Sequence, residues 1–250
     1  MIRKAVCTVF SFDWPALRAA SLALALACVG APAAAQTAAA SPNLAPGFTS
    51  LKASDRLLLM PIDVELYSVS LGGIQEPRAD WTAKAQAYMN QAIQAREAQA
   101  RVGVVELSAQ QVDDAAELVS LHAAVAQAIA LHQFGGSMWA LPTKAGKLDW
   151  SFGDAMQPLQ SASGAQYALF IWVRDSYASA ERVAASIALA FIGIGIAPGG
   201  AQVGYASLVD LQSGQVVWFN RLLRAYGDLR EPGPARESID ALLVGFPGVR

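Results

Sequence analysis

The sequence predicts an α/β fold, a mixed sheet of about five strands flanked by helices, with the early strands parallel and a C-terminal antiparallel hairpin. Three observations carry that prediction. Residues 202–223, QVGYASLVDLQSGQVVWFNRLL, place β-branched and aromatic residues on both sides of an Asp/Ser/Gly cluster, which is the form of a hairpin. Residues 167–173, YALFIWV, are a continuous apolar run of the length of a strand buried on both faces. Upstream, short apolar runs alternate with stretches of helical spacing, the order of a parallel α/β sheet.

The N-terminal segment reads as a processing signal. Arg3, Lys4 and Arg18 precede the apolar run from Ala19 to Val29, and the small residues Ala33, Ala34 and Ala35 follow. A charged region, an apolar region and an A-x-A site make a secretory signal peptide, residues 1–35, with cleavage after Ala35. Lipidation at Cys28 is the rival, although Ala25 stands where a lipoprotein signal usually has Leu; a retained membrane anchor is a third reading. Residues 36–54 are rich in Ala, Ser and Pro without a period and are expected to be a flexible leader. The remaining residues, 55–250, are expected to form one α/β domain.

Within that domain, residues 56–62 are the first strand, with Pro61 ending it or placing it near an edge. Val64, Leu66 and Val69 could extend it, before breaks at Gly72–Gly73 and Glu76–Pro77. Asp80 can cap a helix from Trp81, in which Ala85, Tyr88, Met89, Ala92 and Ile93 recur at helical spacing. Residues 102–107 are a second short strand. Ser108, with Gln111 three residues on, caps another helix carrying Val112, Ala116, Val119, Ala123, Ala126 and Ile129 as far as Gly135–Gly136. Residues 137–164 are loop-rich. The strand at 167–173 closes at Arg174, Asp175 and Ser176. A second apolar run covers 179–196, then the hairpin, then a helix from about Pro234 to Leu243 ending at Gly245. Trp218 and Phe219 should point to opposite faces, one into the core and one beneath the 183–196 segment or a partner.

Composition excludes some function classes. The net charge is −2, and Lys and Arg are scattered, which argues against a nucleic-acid surface. Cys7 and Cys28 are the only cysteines, so the body has no disulfide and no thiolate metal site. His122 and His132, ten residues apart on one helix, point about 80° from one another. Zinc pairs use i and i+4 spacing, so these are expected to be ordinary helix-surface or helix-end histidines. Asp113, Asp114 and Glu117 sit where a helix start favours carboxylates, and capping explains them better than acid/base catalysis. Ser137 and Ser163 lack the G-x-S-x-G context of a nucleophile. Gly193 and Gly195 lack the third glycine of a dinucleotide loop. No catalytic, cofactor-binding or metal-ligating residue is therefore assigned, and no cofactor is expected.

From Val183 to Pro198 the sequence has sixteen residues and no charge, short of the ~20 that cross a bilayer. A buried or partner-facing segment is the first expectation, with membrane contact and a spanning helix as alternatives.

The strand at 167–173, the run from Asp55 to Ile62 before a helix, and above all ASLVDLQSGQVVWFN, with Asp210, Gly214 and Trp218, resemble exported α/β proteins of the curli-secretion (CsgG-like) and TolB N-terminal-like group. The resemblance runs over roughly residues 55–248. It implies a cell-envelope scaffold or accessory protein, periplasmic or attached to the outer membrane, that works through other envelope proteins or self-association without catalysis. A secretion or transport component touching the membrane through Val183 to Pro198 is the alternative, and an enzyme of another type the rival. An exposed cluster of perturbed Asp, His or Tyr in a deep pocket would favour the enzyme; an exposed apolar face or a self-complementary edge strand would favour the scaffold.

Overall fold

In the computed structural model, which describes residues 41–97, 102–191 and 200–250, one long strand organises the sheet. β5 (Tyr167–Ala178) is paired on both edges. β1 (Arg56–Leu59) and β2 (Asp63–Val69) lie end to end along one edge, both parallel to it, with Leu57 opposite Tyr167 and Val64 opposite Val173. β6 (Gln202–Asp210) pairs antiparallel along the other edge, and β7 (Val216–Arg224) pairs with β6. β4 (Gly103–Glu106) lies parallel outside β1, and β3 (Gln75–Pro77) antiparallel outside β2. The mixed sheet is therefore five positions wide, two of them shared by two segments. Parallel early strands and the antiparallel hairpin are as the sequence predicts.

Two strand boundaries differ from expectation. Pro61 lacks the N–H that the ladder needs, so β1 stops before it. The stop falls inside the sheet, however, because β2 resumes the same line; Met60 N–H still donates to Leu169 O at 3.1 Å. β5 does not close at 174–176 but runs on to Ala178, since Asp175 and Ser176 are buried with their polar atoms bonded.

α1 (Ala79–Glu97) buries Ala85, Met89 and Ala92, the apolar spacing read from the sequence. Ser108 and Gln111 form the expected reciprocal cap on α2 (Ala109–Asp114). The single helix expected there is two: α3 (Ala116–Phe134) begins after Ala115, which ends α2. Asp113 and Asp114 thus lie in the last turn of α2, and only Glu117 occupies a first turn. Residues 137–164 hold two 3₁₀ turns and α4 (Gln157–Ser163). α5 (Ala180–Phe191) follows β5, and the last helix, α6 (Pro232–Leu242), begins two residues before the expected Pro234.

The sheet has a core on each face. Leu66, Met89, Ile171, Trp218 and Ile239 pack on the side of α1 and α6, while Leu58, Ile129, Met156, Phe170 and Phe219 pack on the side of α3 and α4. Val209 faces Val216 and Leu208 faces Trp218, which leaves Val217 as the extra residue of a bulge. Val217 and Trp218 consequently share a face, and Phe219 points the other way. The expected opposition of Trp218 and Phe219 holds. Phe219 is fully buried against Phe134 of α3, 5.7 Å between ring centroids; residues 192–196 of the expected cover lie outside the described residues. In the turn, Asp210 Oδ1 accepts from Gln212 and Ser213 N–H at 2.9 Å each, and Gly214 adopts φ +68°.

The described part of the expected leader is packed. Ala45 N–H donates to Val217 O at 3.0 Å, and Phe219 N–H to Asn43 O at 2.9 Å. This covers an edge of β7 that would otherwise present unpaired amides. Leu51 is fully buried and bridges to Val249. Few apolar residues in an Ala/Ser/Pro-rich stretch suffice when backbone groups supply the contacts. Ala39–Arg250 forms one compact unit. The expected signal peptide, Cys7, Cys28, Gly193 and Gly195 lie outside the described residues.

Candidate functional site

The groups that depart furthest from ordinary behaviour are internal. His122 is buried, not on the helix surface as expected. Its Nε2 lies 2.9 Å from Ser207 Oγ, and its ring stacks on Phe170 at 4.7 Å. Burial lowers its pKa to about 3, so it is neutral. The sequence carried the signal: Ala115, Val119, His122, Ala126 and Ile129 recur at helical spacing, and His122 fills a core position in that series. His132 is half-buried at the far end of α3, its Nδ1 2.7 Å from Trp139 O. The two histidines do not meet.

A second internal group ties β5, β6, β7 and α6 together. Asp175 accepts from Ser176 N–H at 2.8 Å, Tyr177 O–H at 2.6 Å and Gln202 Nε2 at 2.8 Å. Gln202 Oε1 in turn accepts from Arg224 Nε at 2.7 Å and Ser238 Oγ at 2.9 Å. Burial pushes the Asp175 carboxyl up, against the pull of its donors, and burial together with Asp175 pushes the Tyr177 phenol up. Tyr177 Oη also accepts Leu229 N–H at 2.7 Å, which anchors the loop before α6. There Arg230 lies 4.4 Å from the Trp81 ring and 4.2 Å from that of Tyr177, and its hydrogen bonds to Asp228 hold that carboxyl below the usual range. Every polar atom named has a partner, so the network rigidifies this part of the sheet and its junction with α6.

The grooves lie elsewhere. α1 packs on β2 and α6, and α6 on β6 and β7, so no described helix covers β1 and β4 on that face. The result is an apolar trough of two adjoining cavities, about 250 and 750 Å³, sharing Leu59, Ile93 and Leu169 as walls. Val104 of β4 and Phe246 line the larger one; Arg96, Asp240 and Arg236 stand among its walls. β4 ends the sheet, and its outer edge is unpaired among the described residues. None of His122, Asp175 or Tyr177 lines the trough.

The third feature is apolar and exposed. Val183, Ile187 and Phe191 of α5 and Leu71 and Ile74 of the β2–β3 turn all stand out from the body. Asp113, Asp114, Glu117 and Ser137 are exposed and Ser163 half-buried; none is brought together with another into a constellation. Among the described residues no group of three or more His, Cys, Asp or Glu is placed to hold a metal ion.

No family model matches the chain, and no curated protein is significantly similar to it. Among solved structures, the PelC dodecamer from Paraburkholderia phytofirmans aligns over 78% of this chain and 88% of its own, with 13% identity and a TM-score of 0.35. The LpoB C-terminal domain from Salmonella enterica covers 73% of this chain and 88% of its own at 15% identity and a TM-score of 0.28. Lipoprotein GNA1162 from Neisseria meningitidis covers 77% and 98%, at 13% identity and a TM-score of 0.30. Values this low carry no argument about function. None of the three bears a curli-secretion or TolB name, so that membership remains an expectation.

Proposed function

We propose that this protein is a non-catalytic accessory protein of the bacterial cell envelope, exported by residues 1–35 and acting by association with other envelope proteins. The observation that supports this most directly is the separation of chemistry from access. The titratable groups with the largest shifts are bonded inside the body, whereas the open trough is walled mainly by aliphatic side chains. An active site needs a perturbed group within reach of substrate.

An open edge strand beside an apolar trough fits an extended segment of a partner protein. β4 would supply backbone hydrogen bonds, and the trough would receive alternate side chains. The test is a photo-crosslinking residue at Val104, with the same residue at the exposed Met138, which lines neither cavity, as control, in envelope preparations. A discrete protein adduct at Val104, absent at Met138 and lost when Leu59→Asp puts a charge in the trough, is the expected result. Equal labelling at both positions, or none at Val104, refutes the assignment.

A further inference from the structure

Helix α5 is built inside out. Its one buried residue is Ser186, whose hydroxyl donates to Val183 O at 2.7 Å, while Val183, Ile187 and Phe191 are 39%, 54% and 86% exposed. These residues recur every fourth position and form a single stripe. A helix packed on a core normally shows the reverse arrangement. Charge stops at Arg182: from Val183 to Gly200 the sequence has no Asp, Glu, Lys or Arg, and its only polar side chain is Ser186.

The stripe has company. Ser179 N–H donates to Val69 O at 2.9 Å and Arg182 Nη1 to Ser70 O at 3.3 Å, which fixes the start of α5 beside the β2–β3 turn. That turn exposes Leu71 and Ile74 by 60% and 66%. Two separate elements thus bring five large apolar side chains to one end of the sheet.

The chemistry selects the occupant. A protein–protein interface carries roughly one hydrogen bond per 100–200 Å² and a polar rim. The stripe offers no side-chain donor or acceptor for one. Hydrocarbon is the partner that requires none. Spanning is not available to α5, since no helix among the described residues is long and apolar enough to cross a membrane. Its 12 residues rise only ~18 Å against the ~30 Å of a bilayer core. We propose that α5 and the β2–β3 turn dock on a lipid surface, with α5 lying in the plane of the interface and Val183, Ile187 and Phe191 among the acyl chains. This rests on the reading of the protein as an exported, non-catalytic envelope component and names the membrane as a second partner, distinct from the one at β4.

The chain from Ala39 on contains every described element and forms a compact unit, and it lacks both cysteines. A single cysteine at Phe191→Cys, carrying an environment-sensitive fluorophore, therefore reports on α5 alone. With phosphatidylcholine vesicles its emission should rise and shift blue, while the same label at Leu223→Cys, exposed on β7, should not respond. Cosedimentation should be equal with phosphatidylcholine and with phosphatidylglycerol-containing vesicles and should survive high salt, because no charge is involved. Ile187→Ser combined with Phe191→Ser should lower the partition coefficient by roughly 10- to 100-fold, with unchanged circular dichroism.

Four results overturn the proposal: no response at Phe191→Cys, an equal response at Leu223→Cys, binding confined to anionic vesicles and lost in salt, or a lipid-independent response that grows with protein concentration. The last identifies a second copy as the cover. The crosslink at Val104 is read separately, so loss of vesicle binding with that adduct intact rejects the lipid contact alone.

Discussion

Trp218 combines a large apolar burial with an unmet polar demand, and the two can be separated by substitution. The side chain is fully buried, edge-on to Phe246 with 5.3 Å between centroids, and its indole N–H finds no acceptor among the described residues. Trp218→Ala removes the ring and leaves a cavity, costing about 3–5 kcal/mol. Trp218→Phe keeps most of the ring; losing ~50 Å² of buried apolar area costs about 1.3 kcal/mol at ~25 cal/mol per Å². It also deletes a buried donor without a partner, which returns about 1–3 kcal/mol. The net effect of Trp218→Phe should therefore lie between about 0.3 kcal/mol destabilising and about 1.7 kcal/mol stabilising. Urea unfolding of the chain from Ala39, followed by circular dichroism with unchanged slope, gives both numbers. If Trp218→Phe is as costly as Trp218→Ala, the indole N–H is bonded in solution and the reasoning fails.

Two further predictions concern the other face and the hairpin turn. The folded pKa of His122, about 3, lies below its unfolded value of about 6.5, so the unfolded chain takes up the proton first as pH falls. Stability should be full above about pH 6.5 and decline through the window down to about pH 3; His122→Gln should flatten that decline in urea midpoints measured across it, and an unchanged slope would reject the buried neutral imidazole. At Gly214, φ is +68° and a Cβ would come 2.1 Å from Gly153 O, whereas at Gly73, φ +82°, a Cβ meets nothing within 4 Å. Gly73→Ala should cost only the backbone strain, about 1–2 kcal/mol, and Gly214→Ala distinctly more; equal thermal shifts for the two would contradict the close approach of the turn to residue 153.

The parts legible in the sequence are those whose information is local. The apolar run at 167–173, the turn from Asp210 to Gly214, the cap formed by Ser108 and Gln111, and the stripe Ala85, Met89 and Ala92 each specify backbone conformation or a buried face through neighbouring residues, and each stands in the structure as read. So does the opposition of Trp218 and Phe219, because strand alternation survives beyond the bulge.

The remainder depends on pairs far apart in the chain. The packing of Asn43 to Leu51 rests on amides of β7 and on Val249, to which that Ala/Ser/Pro-rich stretch gives no clue. His122 stands in a core-spaced series, but its polar nitrogen is satisfied and its ring stacked only by Ser207 and Phe170, which arrive from other strands. Phe219 is covered by Phe134, 85 positions earlier in the chain. The run from Val183 to Pro198 was legible as uncharged, but hydrophobicity states only that a segment needs cover. Which side of α5 faces the body is settled by the three-dimensional frame, which turns Ser186 inward and leaves Val183, Ile187 and Phe191 outside.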